Sequence, residues 1–407
     1  MMFKPLKDIK VLDCSLAGSG PSCTKILREY GAEVIWIECL KGCSTRFVHK
    51  YDFYTAGKRS IAIDLKTLEG KDIFSRLFDQ TDIFVTNYRK KSRERLGLNY
   101  EALHVRKPCL IYAEITGYGD VGNEAHEPGY DPVAFWAKSG MLMDIAEKGS
   151  MVVPPVAVGD IAAGLALAGG VVAALYNRDK TGEGCHVFTS LYGVGAYLNH
   201  DAAIEVQYGE KYPKTRKAPR RALLNTYRCK NEKWITITIV EDIEKNFWPL
   251  LKAIGREDLV GDPRWSCIED TMYEGAPEVV AILDEAFGHM TQDEAVAALR
   301  VLDIPVSRVQ STEEMLNDPQ ALENRFFYRR KVTNTCMTGE DEILAPASPV
   351  KFNSLNSGTE ECGYGPKPGE HSVEILQEYG YSETEIQDFL NRKIISQSDT
   401  PRVQNKA

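Results

Sequence analysis

The stretch MVVPPVAVGDIAAGLALAGGVVAALYNRDKTGEGCHVFTSL, residues 151–191, organises the reading of the whole chain. A Pro-Pro pair and a glycine lead to a single acid, Asp160, after which a small-residue helix runs to about Asn177. Asp160 therefore stands at a helix start. A carboxylate there satisfies orphan backbone N–H groups as an N-cap and complements the positive helix end. A second reading adds chemistry: Gly159 strips bulk from beside the acid, so a large electrophile can approach a carboxylate that the helix N-terminus keeps ionised. Both readings hold together. Beyond the helix, NRDKTGEG makes a polar turn and CHVFTSL a strand.

Toward the N-terminus, an apolar run at 9–13 precedes the glycine-rich CSLAGSGPSC, the helical TKILREYGAEV and a second strand at 34–38. That order is a βαβ unit. Gly18 and Gly20 supply G-x-G, and Glu38 stands about 20 residues on, where a dinucleotide fold places its ribose-binding acid. Pro21 directly after Gly20, and Cys23 at the third glycine position, leave that fingerprint incomplete. The nicotinamide dehydrogenase alternative rests on that incomplete fingerprint.

Further strands are expected at 61–65, at a run ending in Asn87 and Tyr88, and at 109–115. Arg89, Lys90, Lys91, Arg93 and Arg95 crowd seven positions after the second of these. Such a run is a solvated helix face, or else a seat for phosphates, which arginine forks and lysine point charges both suit. Nucleic acid and anionic membranes are disfavoured, because the 407 residues carry a net charge of -9 and those partners need a basic surface. The length implies two or three domains.

The first residues, MMFKPLKDIK, show no apolar signal-peptide core. The apolar run at 161–176 falls short of the roughly 20 residues that span a bilayer and reads as a buried, closely packed helix. Ten cysteines without a C-x-x-C pair suit the reducing cytosol. Cys39 and Cys43 have no second pair at ligand spacing, so no metal is expected. Past residue 191 the chain is helical, then basic and proline-containing over KYPKTRKAPRRALLNT. Strands near 227–229 and 234–240 and helices near 245–253, 277–290 and 292–302 follow, an α+β pattern. The expected division is a first part of a large domain at 1–205, a linker at 206–225, a small domain at 226–315 and a return to the large domain at 316–407, ending in a polar tail of about a dozen residues.

VAVGDIAAG together with AALYNRDKTGEGCHVFTSL resembles the signature region of the class III CoA-transferases, of the formyl-CoA and carnitine type, in which the matching acid is the nucleophile. VLDCSLAGSGP is similar to the family's first strand and turn, TNYRKKSRERLGL to its E-N-F-x-P-G-x-x-x-R-x-G segment, ITGYG to its I-[ST]-G-[FY]-G motif and PGEHSVEIL to its ending. The resemblance implies Asp160 as the catalytic residue and coenzyme A contacts from Ala17, Gly18, Ser19, Lys66, Asn87, Tyr88, Arg95, Leu96 and Tyr130. Two departures stand out. Arg89 and Lys90 replace a small residue and a proline, and APRRALLNT stands where many members carry a glycine loop over the site, which makes Arg220 or Arg221 candidates to meet a substrate carboxylate. Tyr130 and Asp131 occupy the place of the His-Asp pair of related acyl-CoA racemases. A phenol with an ordinary pKa near 10 is a poor base at neutral pH, which favours transfer over racemisation.

What the resemblance implies is an α/β fold with a large Rossmann-like CoA-binding domain and a smaller α+β domain, in an interlocked cytoplasmic homodimer. Its partners would be an acyl-CoA thioester and a small carboxylic acid, with no tightly bound cofactor, no nucleic acid and no membrane. GYGDVGNEAHEPGYDPVAFWAKSG and GREDLVGDPRW resemble most the branch serving 2-hydroxy acids such as phenyllactate and 2-hydroxyisocaproate. Carnitine, bile-acid and dicarboxylate acceptors, and a non-catalytic CoA-binding protein, are the alternatives.

Overall fold

The computed structural model describes residues 3–43, 51–331, 342–354 and 365–398, so residues 399–407 of the expected polar tail lie outside the described residues. The chain divides into two compact units, one of Met1–Met141, Val153–Asp201 and Asp318–Ala407, the other of Leu142–Val152 and Ala202–Asn317.

The first unit is built on β1 (Lys10–Cys14), β2 (Glu33–Glu38), β3 (Arg59–Ile63), β4 (Ile83–Thr86), β5 (Ile111–Thr116) and β6 (Cys185–Ser190). These six pair in parallel in the order 3-2-1-4-5-6, which is the doubly wound order of the Rossmann folds. Strands such as EVIWIE are apolar almost throughout because a parallel sheet is covered on both faces, and Val34, Ile35, Trp36 and Ile37 are all buried. The register sets Val11 beside Val34 on one side and Ile83 on the other.

Helix Ser19–Glu29 follows β1 and crosses the long helix Val158–Thr181 closely. A Cβ on Gly164 would collide with Ser22 and the Cys23 backbone, so the two helices meet backbone to backbone. Cys23, buried completely, thus fills a helix–helix contact where a dinucleotide fold has its third glycine. Glu38 is buried and accepts from the Ser60 hydroxyl and, at 3.3 Å, from the Cys43 amide. Those bonds hold the acid to its own neighbours.

The second unit holds β7 (Leu224–Arg228), β8 (Trp234–Thr238) and β9 (Val306–Arg308) in one antiparallel sheet. Helices Ala276–Gly288 and Gln292–Arg300 contribute Val279, Leu283, Phe287, Val296 and Leu299 to its core, around Tyr227, Phe247 and Trp265. Thr291 and Glu294 form a capping box at the start of the second helix, satisfying two orphan donors reciprocally.

The chain then returns to the first unit through the hairpin β10 (Phe327–Lys331) and β11 (Glu342–Pro346). Helices Ser372–Glu378 and Glu383–Asn391 bury Ile375, Leu376 and Ile386 in the same cluster as Ile61, Ile63 and Ile73. β12 (Ile395–Ser396) finally adds an antiparallel edge to β3, making seven strands.

Candidate active site

β1 and β4 are neighbours although three strands apart in sequence, because the strand order reverses between them. In open α/β sheets ligands settle outside the carboxyl ends of the strands at that point. The turn after β1, the segment after β4 and the loop after β5 all line one cleft there, of about 470 Å³.

Ala17 and Ser19 line it from the first turn, with Ala17 in the left-handed region at φ 59°. Asn87, Tyr88, Arg95 and Leu96 line it from the second segment, Tyr130 from the end of the third, and Asp160 from the long helix. Gly18 stands against Asp160 itself: any Cβ there would overlap the Asp160 carboxylate. Lys66 lines an adjoining cavity of about 330 Å³ that shares Tyr88, Arg95 and Leu96 with the cleft. All ten sequence-nominated residues therefore gather in one region of the first unit.

Asp160 is half-buried and is the third residue of its helix, not the N-cap. The helix starts at Val158, because the Ala157 carbonyl already accepts the first helical bond from the Ile161 amide at 3.0 Å. Ala157 holds the N-cap position at φ 75° with no side-chain acceptor. The first-turn position still places the carboxylate in the positive end of the helix dipole, which favours its ionised form. Tyr54 packs with Ala157 and Ile161 on either side of this turn. Its phenol is pushed up to about 12 by burial and by the charges of Asp160 and Asp131, so it stays protonated beside them.

Asn87 serves the turn rather than the open cleft. Its amide donates to the Leu16 carbonyl at 2.7 Å and to the Ser19 hydroxyl at 3.2 Å. The basic run forms the helix Lys90–Leu96 with Arg89 as its N-cap, and its cations divide by role. Arg89, Lys90 and Arg95 are exposed and line the cleft. Arg93 instead points into the fold, ion-paired with the buried Glu114 of β5 and standing 3.6 Å from Asp120. Glu114 also meets His186 Nε2 at 3.1 Å, and burial lowers the His186 pKa. A neutral imidazole donating from Nε2 satisfies both observations. The cleft is thus basic along one wall and carries Asp120, Glu127 and Asp160 elsewhere, a layout suited to an anionic ligand whose far end meets a carboxylate.

Residues 6–372 match the profile of CoA-transferase family III. The chain belongs to that family. It is 34% identical to the (R)-2-hydroxy-4-methylpentanoate CoA-transferase of Clostridioides difficile over 96% of this chain and 99% of the relative. It is 33% identical to the cinnamoyl-CoA:phenyllactate CoA-transferase of Clostridium sporogenes over 95% of this chain and 96% of the relative. A formyl-CoA:oxalate CoA-transferase of Escherichia coli is 29% identical over 95% of this chain and 98% of the relative. Among solved structures, a Mycobacterium tuberculosis protein superposes with TM-score 0.79 at 28% identity, covering 92% of this chain and 99% of that one.

Three features of this class III CoA-transferase escaped the sequence reading. The inward turn of Arg93 has no local signal in a run of five cations. The loop between β5 and Tyr130 contributes Asp120 and Glu127 to the cleft, and its ends touch at Gly117 and Gly129, where a Cβ on Gly117 would lie 2.6 Å from the Gly129 Cα. Asp131 opens the π-helical segment Asp131–Ala137 and accepts from the Gly159 amide at 3.1 Å. PGYD was the only hint of it. Arg220, nominated to meet a substrate carboxylate, is engaged within the second unit by Glu205 and by the Tyr273 hydroxyl at 3.0 Å.

Proposed function

We propose that this enzyme moves CoA between an acyl-CoA and a 2-hydroxy acid such as 2-hydroxy-4-methylpentanoate or phenyllactate, with Asp160 as nucleophile. The observation that carries the reading is the position of Asp160: a first-turn carboxylate on a cleft that Arg89, Lys90 and Arg95 also line. Phosphate-rich CoA fits the basic wall. The acceptor class is supported by the two relatives named for 2-hydroxy acids, which stand at 34% and 33% identity against 29% for the oxalate enzyme.

The Asp160 carboxylate attacks the donor thioester carbonyl and CoA leaves as the thiolate, giving a mixed anhydride. The thiolate attacks the aspartyl carbonyl and releases the donor acid, leaving an aspartyl-CoA thioester. The acceptor carboxylate then attacks that thioester and expels the thiolate, which attacks the acceptor carbonyl of the new anhydride and restores Asp160. No proton moves, because every nucleophile and leaving group is a stable anion. Each tetrahedral oxyanion needs nearby donors and exclusion of water. The Ala17 to Ser19 turn, with Gly18 pressed on Asp160, brings backbone amides to the right neighbourhood.

The homodimer belongs to the same proposal. Leu165, Val172 and Tyr176 of the long helix and Phe188 of edge strand β6 are exposed apolar side chains on one unit, and a second copy would cover them.

The deciding experiment incubates the protein with 2-hydroxy-4-methylpentanoyl-CoA, adds hydroxylamine, and maps the adduct by mass spectrometry. Donor-dependent modification of Asp160, absent in D160A, is the expected result. Wild-type transfer by D160A would refute the assignment.

A further inference from the structure

The helix that carries Asp160 begins without a cap of its own. The first four amides of any helix lack intrahelical acceptors, and an N-cap side chain ordinarily takes the N–H of the second or third residue. Here the N-cap is Ala157, which has nothing to offer. The acceptor comes from 28 residues away: Asp131 Oδ1 receives the Gly159 N–H, the second amide of the helix, at 3.1 Å.

Asp131 is only 2% exposed, and the segment it opens grips the approach to Asp160 at further points. Trp136 Nε1 donates to the Pro155 carbonyl at 3.1 Å. Phe135 and Asp131 lie so close to Gly159 that any Cβ there would strike both. The residue immediately before the nucleophile is therefore held on its N–H by a carboxylate and on its Cα by a ring. The Asp160 carboxylate itself occupies the space that a Cβ on Gly18 would fill.

We infer that Asp131 is a positioning residue of the transfer reaction: by accepting the Gly159 N–H it fixes where the Asp160 carboxylate stands against the thioester carbonyl. The inference rests on Asp160 being the nucleophile. Asp131 acts through a hydrogen bond, so an amide oxygen in its place does the same work without the charge.

The test compares wild type, D131N and D131A for the single-turnover rate of the hydroxylamine-trapped adduct at Asp160, and for steady-state kcat and donor KM with 2-hydroxy-4-methylpentanoyl-CoA. A misplacement of about 1 Å costs on the order of 10²-fold in rate. D131A is expected to lose about that factor in adduct formation and kcat, with donor KM moving less than about threefold, and D131N to recover to within about tenfold of wild type. D131A within twofold of wild type, or D131N no better than D131A, overturns the inference. Should D131A fail to fold, D131N alone decides: within about tenfold of wild type the inference stands, and any greater loss overturns it. A wild-type protein that forms no adduct at Asp160 defeats the nucleophile assignment, and a normal wild-type adduct formed equally fast by D131A defeats only the role of Asp131.

Discussion

Asn87 and Leu16 exchange two hydrogen bonds, the Asn87 amide donating to the Leu16 carbonyl at 2.7 Å while its oxygen accepts the Leu16 N–H at 2.9 Å. The side chain just beyond β4 thereby satisfies both main-chain polar groups of Leu16 and ties the turn after β1 to the strand beside it. Asn87→Ala removes both bonds to Leu16 and the bond to Ser19. We expect a stability loss of about 1–3 kcal/mol by chemical denaturation and a rise in donor KM larger than the fall in kcat. An unchanged donor KM would show that the turn keeps its shape without Asn87.

Gly18→Ala tests the contact between the turn and Asp160. The added methyl overlaps the Asp160 carboxylate, so one of the two must shift. Overpacking of this kind costs about 1–3 kcal/mol, and the displaced carboxylate is expected to lose about 10²-fold in kcat while CoA binding by calorimetry persists. Full turnover by the variant would mean that Asp160 has another productive position.

Arg93→Met separates the buried cation from its exposed neighbours. Both Arg93 and Glu114 are buried, and removing one partner of a buried pair costs about 3–5 kcal/mol. R93M should unfold at distinctly lower denaturant, and R93M/E114Q should recover more than half of the loss because His186 still has an oxygen to donate to. If R93M matched wild-type stability, the ion pair would not be what anchors the basic helix.

Acid should weaken the fold through its imidazoles. Burial lowers the pKa of His186 and His371 from the ordinary 6.5. The unfolded chain therefore takes up protons first as pH falls, so stability is complete above about 6.5 and declines below it toward the lowered folded values. His186→Gln keeps a donor for Glu114 but cannot titrate. Its denaturation midpoint should fall less than that of wild type between about pH 7 and pH 5, and an identical slope would remove His186 from the account.

Much of this architecture was legible because its signals are local. VLDCSLAGSGP announces strand and turn by composition, and β1, β4 and β5 are each followed closely by residues that reach the cleft, so motif order along the chain became proximity in space. What failed to show was non-local. Asp160 read as an N-cap because the Pro-Pro and glycine signals lie just before it, whereas the acceptor that lets the helix start at Val158 is Asp131, far upstream. Arg93 looked like its four neighbours because only Glu114, on another strand, draws it inward. β12 has two residues, too few for any periodicity to be read.

The contact of Gly117 with Gly129 makes a neck, and a neck isolates what lies beyond it. Residues 118–128 leave and rejoin the fold at one point, since the two ends already meet; beyond it, Asp120 stands 3.6 Å from Arg93 and Glu124 pairs with Lys138. Because Asp120, Ala125 and Glu127 reach the cleft from that closed segment, a graft across the two glycines would exchange part of the cleft lining while leaving Asp160 and the turn after β1 where they stand.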